Sequence, residues 1–195
     1  MITKADAATT PAEAPAAPAG WMAGTWTIDP AHTMVSFAVR HLMSWVRGTF
    51  SDVTGQIVTT QELAGSTATA VIGVSSVSTG TQLRDDHLRS PDFFDAGHYP
   101  QLSFASTAPR PRNGSWMLAG ELTIRDVTRP VELAVEFLGT DPDGLQGEPR
   151  IGFSARGSIR RADFGISFGL AADGSKIVIG DKVDIVLDVQ AFASA

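Results

Sequence analysis

The densest run of chemically capable side chains is Arg84-Asp85-Asp86-His87. Two adjacent carboxylates beside an imidazole can serve as general acid and base, because neighbouring charges and burial drive such groups' pKa values apart. A local reading competes with it. Asp near a helix start stabilises the helix dipole, and Arg pairs with Asp one turn away. No partner nucleophile accompanies the cluster: cysteine is absent, and neither a Gly-x-Ser-x-Gly nor a Gly-x-x-x-x-Gly-Lys motif occurs. The remaining histidines, His32, His41 and His98, stand singly without His-x-His or His-Glu-x-x-His spacing. A zinc site needs three or four converging ligands. All four histidines therefore read as hydrogen-bonding and packing groups, and no metal is expected. Phe93-Phe94-Asp95 offers large apolar area to a ligand or anchors a helix on the core.

The elements that must carry these residues show themselves by alternation. Val131, Leu133, Val135 and Phe137 recur at every second position, with Glu132, Ala134 and Glu136 between them. Val183, Ile185, Leu187 and Val189 repeat the pattern, as do Ile151, Phe153, Ala155 and Ile159, and shorter rows run through Val35, Phe37 and Val39, Leu102 and Phe104, and Leu118, Leu122 and Ile124. Period two puts each row on one face of a strand. One apolar and one polar face is the antiparallel signature. Turn signals fall between the rows at Asn113-Gly114, Asp141-Pro142-Asp143-Gly144 and Asp173-Gly174-Ser175. Strands are expected near 24–29, 33–39, 47–59, 66–77, 100–108, 115–125, 130–139, 150–160 and 182–192. Eight or nine amphipathic strands in one open sheet would leave two costly edges, and closure into an all-β antiparallel barrel removes them.

Two stretches interrupt the alternation. Residues 40–47, Arg-His-Leu-Met-Ser-Trp-Val-Arg, read as one helical turn. Residues 80–98 read as a helical insert, with Thr79 or Thr81 capping a first short helix and Ser90-Pro91 opening a second. Such an insert lies where a barrel needs a lid or a plug. Glycines 48, 55 and 73 fall within or beside strands, as bulges and bends require.

Composition narrows the partners. The 195 residues carry 15 basic and 21 acidic side chains, a formal net charge of -6, without a basic run. That balance disfavours nucleic acid. No stretch reaches the roughly 18 to 20 apolar residues of a membrane span, so stable membrane insertion is not expected. Residues 1–20, rich in Ala, Thr and Pro, hold Asp6 and Glu13 where a secretory signal needs an apolar run. They read as a disordered tail before a barrel domain over 21–195, and the protein as cytoplasmic.

Several blocks resemble a known family. Trp26-Thr27-Ile28-Asp29-Pro30-Ala31-His32-Thr33, then Phe37 and Arg47-Gly48-Thr49-Phe50, resemble the opening of the YceI-like polyisoprenoid-binding proteins. Arg84-Asp85-Asp86-His87-Leu88-Arg89-Ser90 with Phe93-Phe94-Asp95 and Tyr99-Pro100 is similar to that family's most specific motif. Gly120-Glu121-Leu122-Thr123-Ile124, Val127-Thr128-Arg129-Pro130-Val131, Asp163-Phe164-Gly165 and Ile179-Gly180-Asp181-Lys182-Val183 resemble its later blocks, so the likeness runs from about residue 24 to 191. The resemblance implies a lipocalin-like barrel with an elongated apolar pore for a long amphiphile, such as an isoprenoid quinone, a polyprenyl phosphate or a fatty amide. It implies no enzyme, no required cofactor and, in some members, a homodimer. Arg125-Asp126 and Phe168 depart from the family pattern, the first at a turn and the second where a Trp is frequent, with pore width at stake.

The residues expected to contact such a ligand are Phe37, Val39, Trp45, Phe94, Phe104, Leu122, Leu133, Val135, Phe153, Phe168, Ile185 and Leu187, with Glu132, Glu136, Arg156, Asp184 and Asp188 facing outward. Burying a forty-carbon tail from water at ~0.8 kcal/mol per CH₂ would exceed any observed affinity. The true competitor is the bilayer, where the tail is already dry. Discrimination then rests on pore length and head-group contacts. No basic cluster is placed for a diphosphate, so a neutral head such as a quinone fits at least as well. Two other functions compete: an enzyme on a hydrophobic isoprenoid-like substrate with His87, Asp85 and Asp86 as acid–base groups, and a packed barrel whose outer surface binds a protein.

Overall fold

The period-two rows fold as strands, all paired antiparallel, in a computed structural model that describes residues 17–112, 115–144, 147–169 and 178–194. Ten strands run in chain order: β1 (Gly24–Ile28), β2 (Met34–His41), β3 (Ser44–Phe50), β4 (Val53–Thr59), β5 (Thr67–Gly73), β6 (Gln101–Arg112), β7 (Ser115–Ile124), β8 (Val127–Asp141), β9 (Arg150–Arg160) and β10 (Ile179–Ala193). The sheet order β1-β4-β5-β6-β7-β8-β9-β10 closes on itself through β1–β10 pairing, which makes an eight-stranded barrel. The hairpin β2–β3 adds two more strands along β10. Helix α1 (Gln82–Arg89) lies in the long β5–β6 connection. No helix among the described residues is long and apolar enough to cross a membrane.

The extra strands follow from β10 serving two partners on one edge. Its residues Ile179–Asp188 face β2, and Ala191–Ala193 face β1. The edge breaks between those partners at the short 3₁₀ turn Pro30–His32, whose N-cap Asp29 accepts from the Ala31 amide at 3.0 Å. Strand 47–59 of the sequence reading breaks likewise, at Ser51-Asp52, into β3 and β4. The break at Asp29 is pinned by charge. Arg150 at the start of β9 donates to the Asp29 carboxylate at 2.6 Å and to Glu148 at 3.0 Å, and His32 Nδ1 lies 2.8 Å from Asp29.

Three local expectations are corrected. Residues 40–47 form no helical turn: Arg40 and His41 end β2, Leu42-Met43 make a two-residue turn, and β3 starts at Ser44, paired to His41. Leu42 takes the left-handed φ of 50° that such a turn needs, where Gly or Asn would have signalled it. Ser90-Pro91 opens no second helix. The amides of Phe93 and Asp95 both turn back onto the Ser90 carbonyl, and that of Phe94 onto Leu88, so no helical ladder propagates. Strand 66–77 ends at Gly73 in the 3₁₀ turn Val74–Ser76. Asn113-Gly114 and Asp173-Gly174-Ser175 lie outside the described residues, as do residues 1–16 of the tail, although β6 and β7 do pair with Arg112 opposite Ser115.

Two packed clusters sit near the barrel's ends. One gathers Phe50, Val53, Val74, Val77, Phe93, Phe164 and Ile166 beside α1, and the other Trp26, Ile151 and Ala191. Between them Phe37, Phe104, Leu122, Val135, Ile185 and Leu187 stay only half-buried although they point inward. Protein interiors are normally close-packed. Here the inward row leaves space.

The Asp29 site generates a pH prediction. The Arg150 hydrogen bond, opposed by burial and helped by His32 and the Ala31 amide, lowers the Asp29 pKa from 3.8 to about 2. A folded-state value below the unfolded one contributes stability at higher pH that is lost as pH falls from 3.8 toward 2. The urea midpoint gap between wild type and Asp29→Asn should therefore shrink across that interval. A gap constant from pH 6 to 2 would contradict the pairing.

Candidate functional site

The barrel encloses two apolar chambers stacked along its axis. The upper, with about 900 Å³ of atom-free space, is lined by Trp21, Ile57, Leu63, Trp116, Leu118, Val135, Phe137 and Phe153. The lower, with about 1280 Å³, is lined by Phe37, Val39, Phe50, Phe93, Phe94, Leu122, Ile159, Val183 and Ile185. Both volumes include space open to solvent. Ile28, Ala70, Phe104, Leu133, Leu187 and Val189 border both chambers and form the waist between them.

The lower chamber presents no polar surface and the upper almost none. Four of their polar neighbours, Thr59, Ser66, Thr33 and Arg161, are engaged elsewhere. Thr59 Oγ1 accepts from Trp26 Nε1 at 2.7 Å and donates to the Met22 carbonyl at 2.6 Å, and Ser66 Oγ accepts from the Thr60 amide. Thr33 Oγ1 donates to the Gln190 carbonyl. Arg161 borders the lower chamber, yet its guanidinium donates to the carbonyls of Gly180, Ile166, Phe168 and Ile179 at 2.7 to 3.2 Å. Burial pulls its pKa below the ordinary arginine value, with Asp181 opposing. Backbone dipoles thus solvate this cation and tie the turn Arg161–Phe164 to the start of β10. Among the described residues, the surface presented to the chambers is thus almost wholly apolar.

Trp21 sits over the upper chamber. Its indole N–H donates to the Thr60 carbonyl at 2.8 Å, and its ring meets Phe137 and Phe153 edge-on at 5.3 and 6.0 Å. The insert covers the lower chamber through Leu88, Phe93 and Phe94, with the Phe94 ring 5.7 Å from Phe50.

Residues 26–191 match the YceI-like domain model. The chain belongs to the YceI-like family. The protein YceI of Escherichia coli O17:K52:H18 is 34% identical over 161 residues, 82% of this chain and 81% of that protein. The crystal structure of Burkholderia cenocepacia BcnA is similar with a TM-score of 0.73 and 25% identity, over 84% of this chain and 99% of that one. A polyisoprenoid binding domain from Saccharophagus degradans, implicated in plant cell wall breakdown, shares the fold with a TM-score of 0.67 at 18% identity, over 89% of this chain and 100% of that one.

Within this YceI-like barrel, ten of the twelve expected contact residues line a chamber: Phe37, Val39, Phe94, Leu122 and Ile185 the lower, Val135 and Phe153 the upper, and Phe104, Leu133 and Leu187 both. Trp45 and Phe168 do not. Trp45 pairs with Arg40, which points outward because Val39 points in, and its ring packs 5.7 Å from the Arg40 guanidinium, 44% exposed. Phe168 follows the 3₁₀ turn and meets His87 edge-on at 4.8 Å and Phe93 at a tilt at 5.3 Å. It backs a chamber residue instead of lining one. Alternation missed Arg161, although the row Ile151, Phe153, Ala155, Gly157, Ile159 already places it on the inward parity. It also missed Trp21, which precedes the first strand.

The Arg84–His87 cluster lies away from both chambers and binds the insert together. Asp85 is 5% exposed and accepts from the Thr79 amide at 2.8 Å and from Thr79 Oγ1, to which Arg84 Nε donates at 2.7 Å. Asp86 is exposed, pairing with Arg89 at 3.0 Å. His87 lies 2.9 Å from Asp92, with its ring between Phe93 and Phe168. Among the described residues no three His, Asp or Glu converge as metal ligands do.

Burial ranks these residues in stability. Asp85→Ala strands a buried amide and hydroxyl and should cost ~2 to 3 kcal/mol. His87→Ala loses an exposed pair and some ring packing and should cost about 1 kcal/mol or less. Chemical unfolding of both variants checks the order, and a His87→Ala cost above that of Asp85→Ala would refute it.

Proposed function

We propose that this protein holds a long isoprenoid chain inside its barrel, as a binding, storage or transport protein with no catalytic step. The observation that carries this reading is the pair of chambers whose walls are apolar while their inward side chains stay half-exposed. A packed barrel for protein binding would bury those side chains, and an enzyme would need a reactive group facing the cavity. Membership of the YceI-like family and the polyisoprenoid binding of the Saccharophagus degradans domain with the same fold support the reading. Transfer of such a tail from a bilayer gains little hydrophobic free energy, so the fit of the chain to the chambers decides what is bound. With almost no polar surface presented to the chambers among the described residues, the head stays outside them, which suits a quinone or an alcohol as well as a phosphate.

Organic extraction of the purified protein followed by mass spectrometry tests this. An isoprenoid lipid near one per protein is expected. Leu122→Glu, which sets a carboxylate against the lower chamber, should lower that occupancy at least about tenfold in protein that still folds. Wild-type protein free of lipid that also takes up none from isoprenoid-containing vesicles would overturn the reading.

A further inference from the structure

The two chambers meet where two strands contribute no side chain. The inward row of β7 runs Trp116 and Leu118 beside the upper chamber, then Gly120, then Leu122 and Ile124 beside the lower. The inward row of β9 does the same, with Phe153 and Ala155 above, Gly157 at the junction and Ile159 below. Each glycine is filled from the neighbouring strand. A methyl group on Gly120 would come 2.5 Å from the Phe104 ring, and one on Gly157 would come 2.7 Å from Leu133 Cδ2. Backbone oxygens crowd both sites too, Ala105 O at 2.7 Å and Glu132 O at 2.9 Å. Phe104 and Leu133 are both waist residues. They lie flat across the missing side chains of the next strand instead of projecting across the axis. The same device recurs below the waist, where the Phe37 ring covers Gly48.

We propose that Gly120 and Gly157 set the chain length of the ligand, by seating Phe104 and Leu133 against the wall so that a chain can pass from one chamber into the other. This rests on the isoprenoid-binding reading and adds a length limit to it. The volumes make the limit matter. At about 30 Å³ per carbon group, the share of a water-sized unit, a twenty-carbon chain needs about 600 Å³ and a forty-five-carbon chain about 1350 Å³. The shorter chain stays below the upper limit of either chamber alone. The longer exceeds the 1280 Å³ of the lower chamber even with its open mouth counted, so it must thread the waist. With a side chain on either glycine, the displaced neighbour moves toward the axis, and the lower chamber becomes a closed well for short chains.

Protein stripped of lipid is loaded from mixed vesicles holding equal amounts of geranylgeraniol, with twenty carbons, and solanesol, with forty-five, and native mass spectrometry reads the ratio bound. Wild type should take both. Gly120→Ala should lower the solanesol-to-geranylgeraniol ratio about tenfold, a selectivity that steric exclusion at a waist can supply. Adding Phe104→Ala to it should return the ratio to within about threefold of wild type, because the displaced ring is gone. Should crowding against Ala105 O keep Gly120→Ala from folding, Phe104→Trp puts a larger ring on the same seat and must lower the ratio in its place. An unchanged ratio in a folded Gly120→Ala or Phe104→Trp protein overturns the proposal, as does a double variant that stays restricted. Wild type that takes geranylgeraniol alone overturns the length limit but leaves isoprenoid binding standing. Wild type that takes neither overturns the binding reading and the length limit together.

Discussion

Closure of this barrel depends on β10 pairing with β9 along one edge and with β2 and then β1 along the other. A strand can serve two successive partners on one edge only if the chain between them bends sharply and returns in register. The turn Pro30–His32 makes that bend, and Asp29, held by Arg150 from the next strand but one around the ring, fixes it. With the ring closed, all inward parity positions face a single enclosed space and no edge of the eight-membered ring is left to pair with another chain. The apolar rows then have nowhere else to point.

What the rows do not do is fill that space. Packing concentrates near the ends, in the cluster beside α1 and in the smaller one around Trp26. The middle of the barrel forgoes dispersion contacts that a filled core would make. Among the described residues, Arg161 and Thr59 beside the space are already hydrogen-bonded, Arg161 to backbone carbonyls and Thr59 to Trp26 and Met22, and so offer little to a water that needs two to four bonds. An apolar cavity of this kind suits a flexible hydrocarbon, and the proposed role of the waist glycines is to keep it continuous.

Strand existence and facing were legible because period two is a strong signal where one face meets an apolar interior. Leu133, Val135, Ile185 and Leu187 all lie on the expected side for that reason. The misreadings have separate physical causes. Leu42 occupies a left-handed turn position without the residue type that announces one, which hid the β2–β3 hairpin inside an apparent helical turn. Trp45 belongs to none of the period-two rows, and its pairing opposite Arg40 puts it on the outer face. Arg161 obeys parity but breaks the apolar pattern, since backbone carbonyls from two segments, 166–168 and 179–180, meet its charge, and those are invisible in one dimension. The Arg84–His87 run reads as chemistry or, more readily, as local pairing, and the burial of Asp85 against Thr79 supports the pairing.

Whether the two chambers hold one continuous hydrocarbon chain is read from electron density inside the barrel, in a crystal structure of the protein as it leaves the cell. One unbroken tube of density is expected, running from beneath Phe94, past Phe104 and Leu133 lying flat on the wall, to Trp21. Collapsed side chains meeting across the waist, or ordered waters hydrogen-bonded within the chambers, would contradict it.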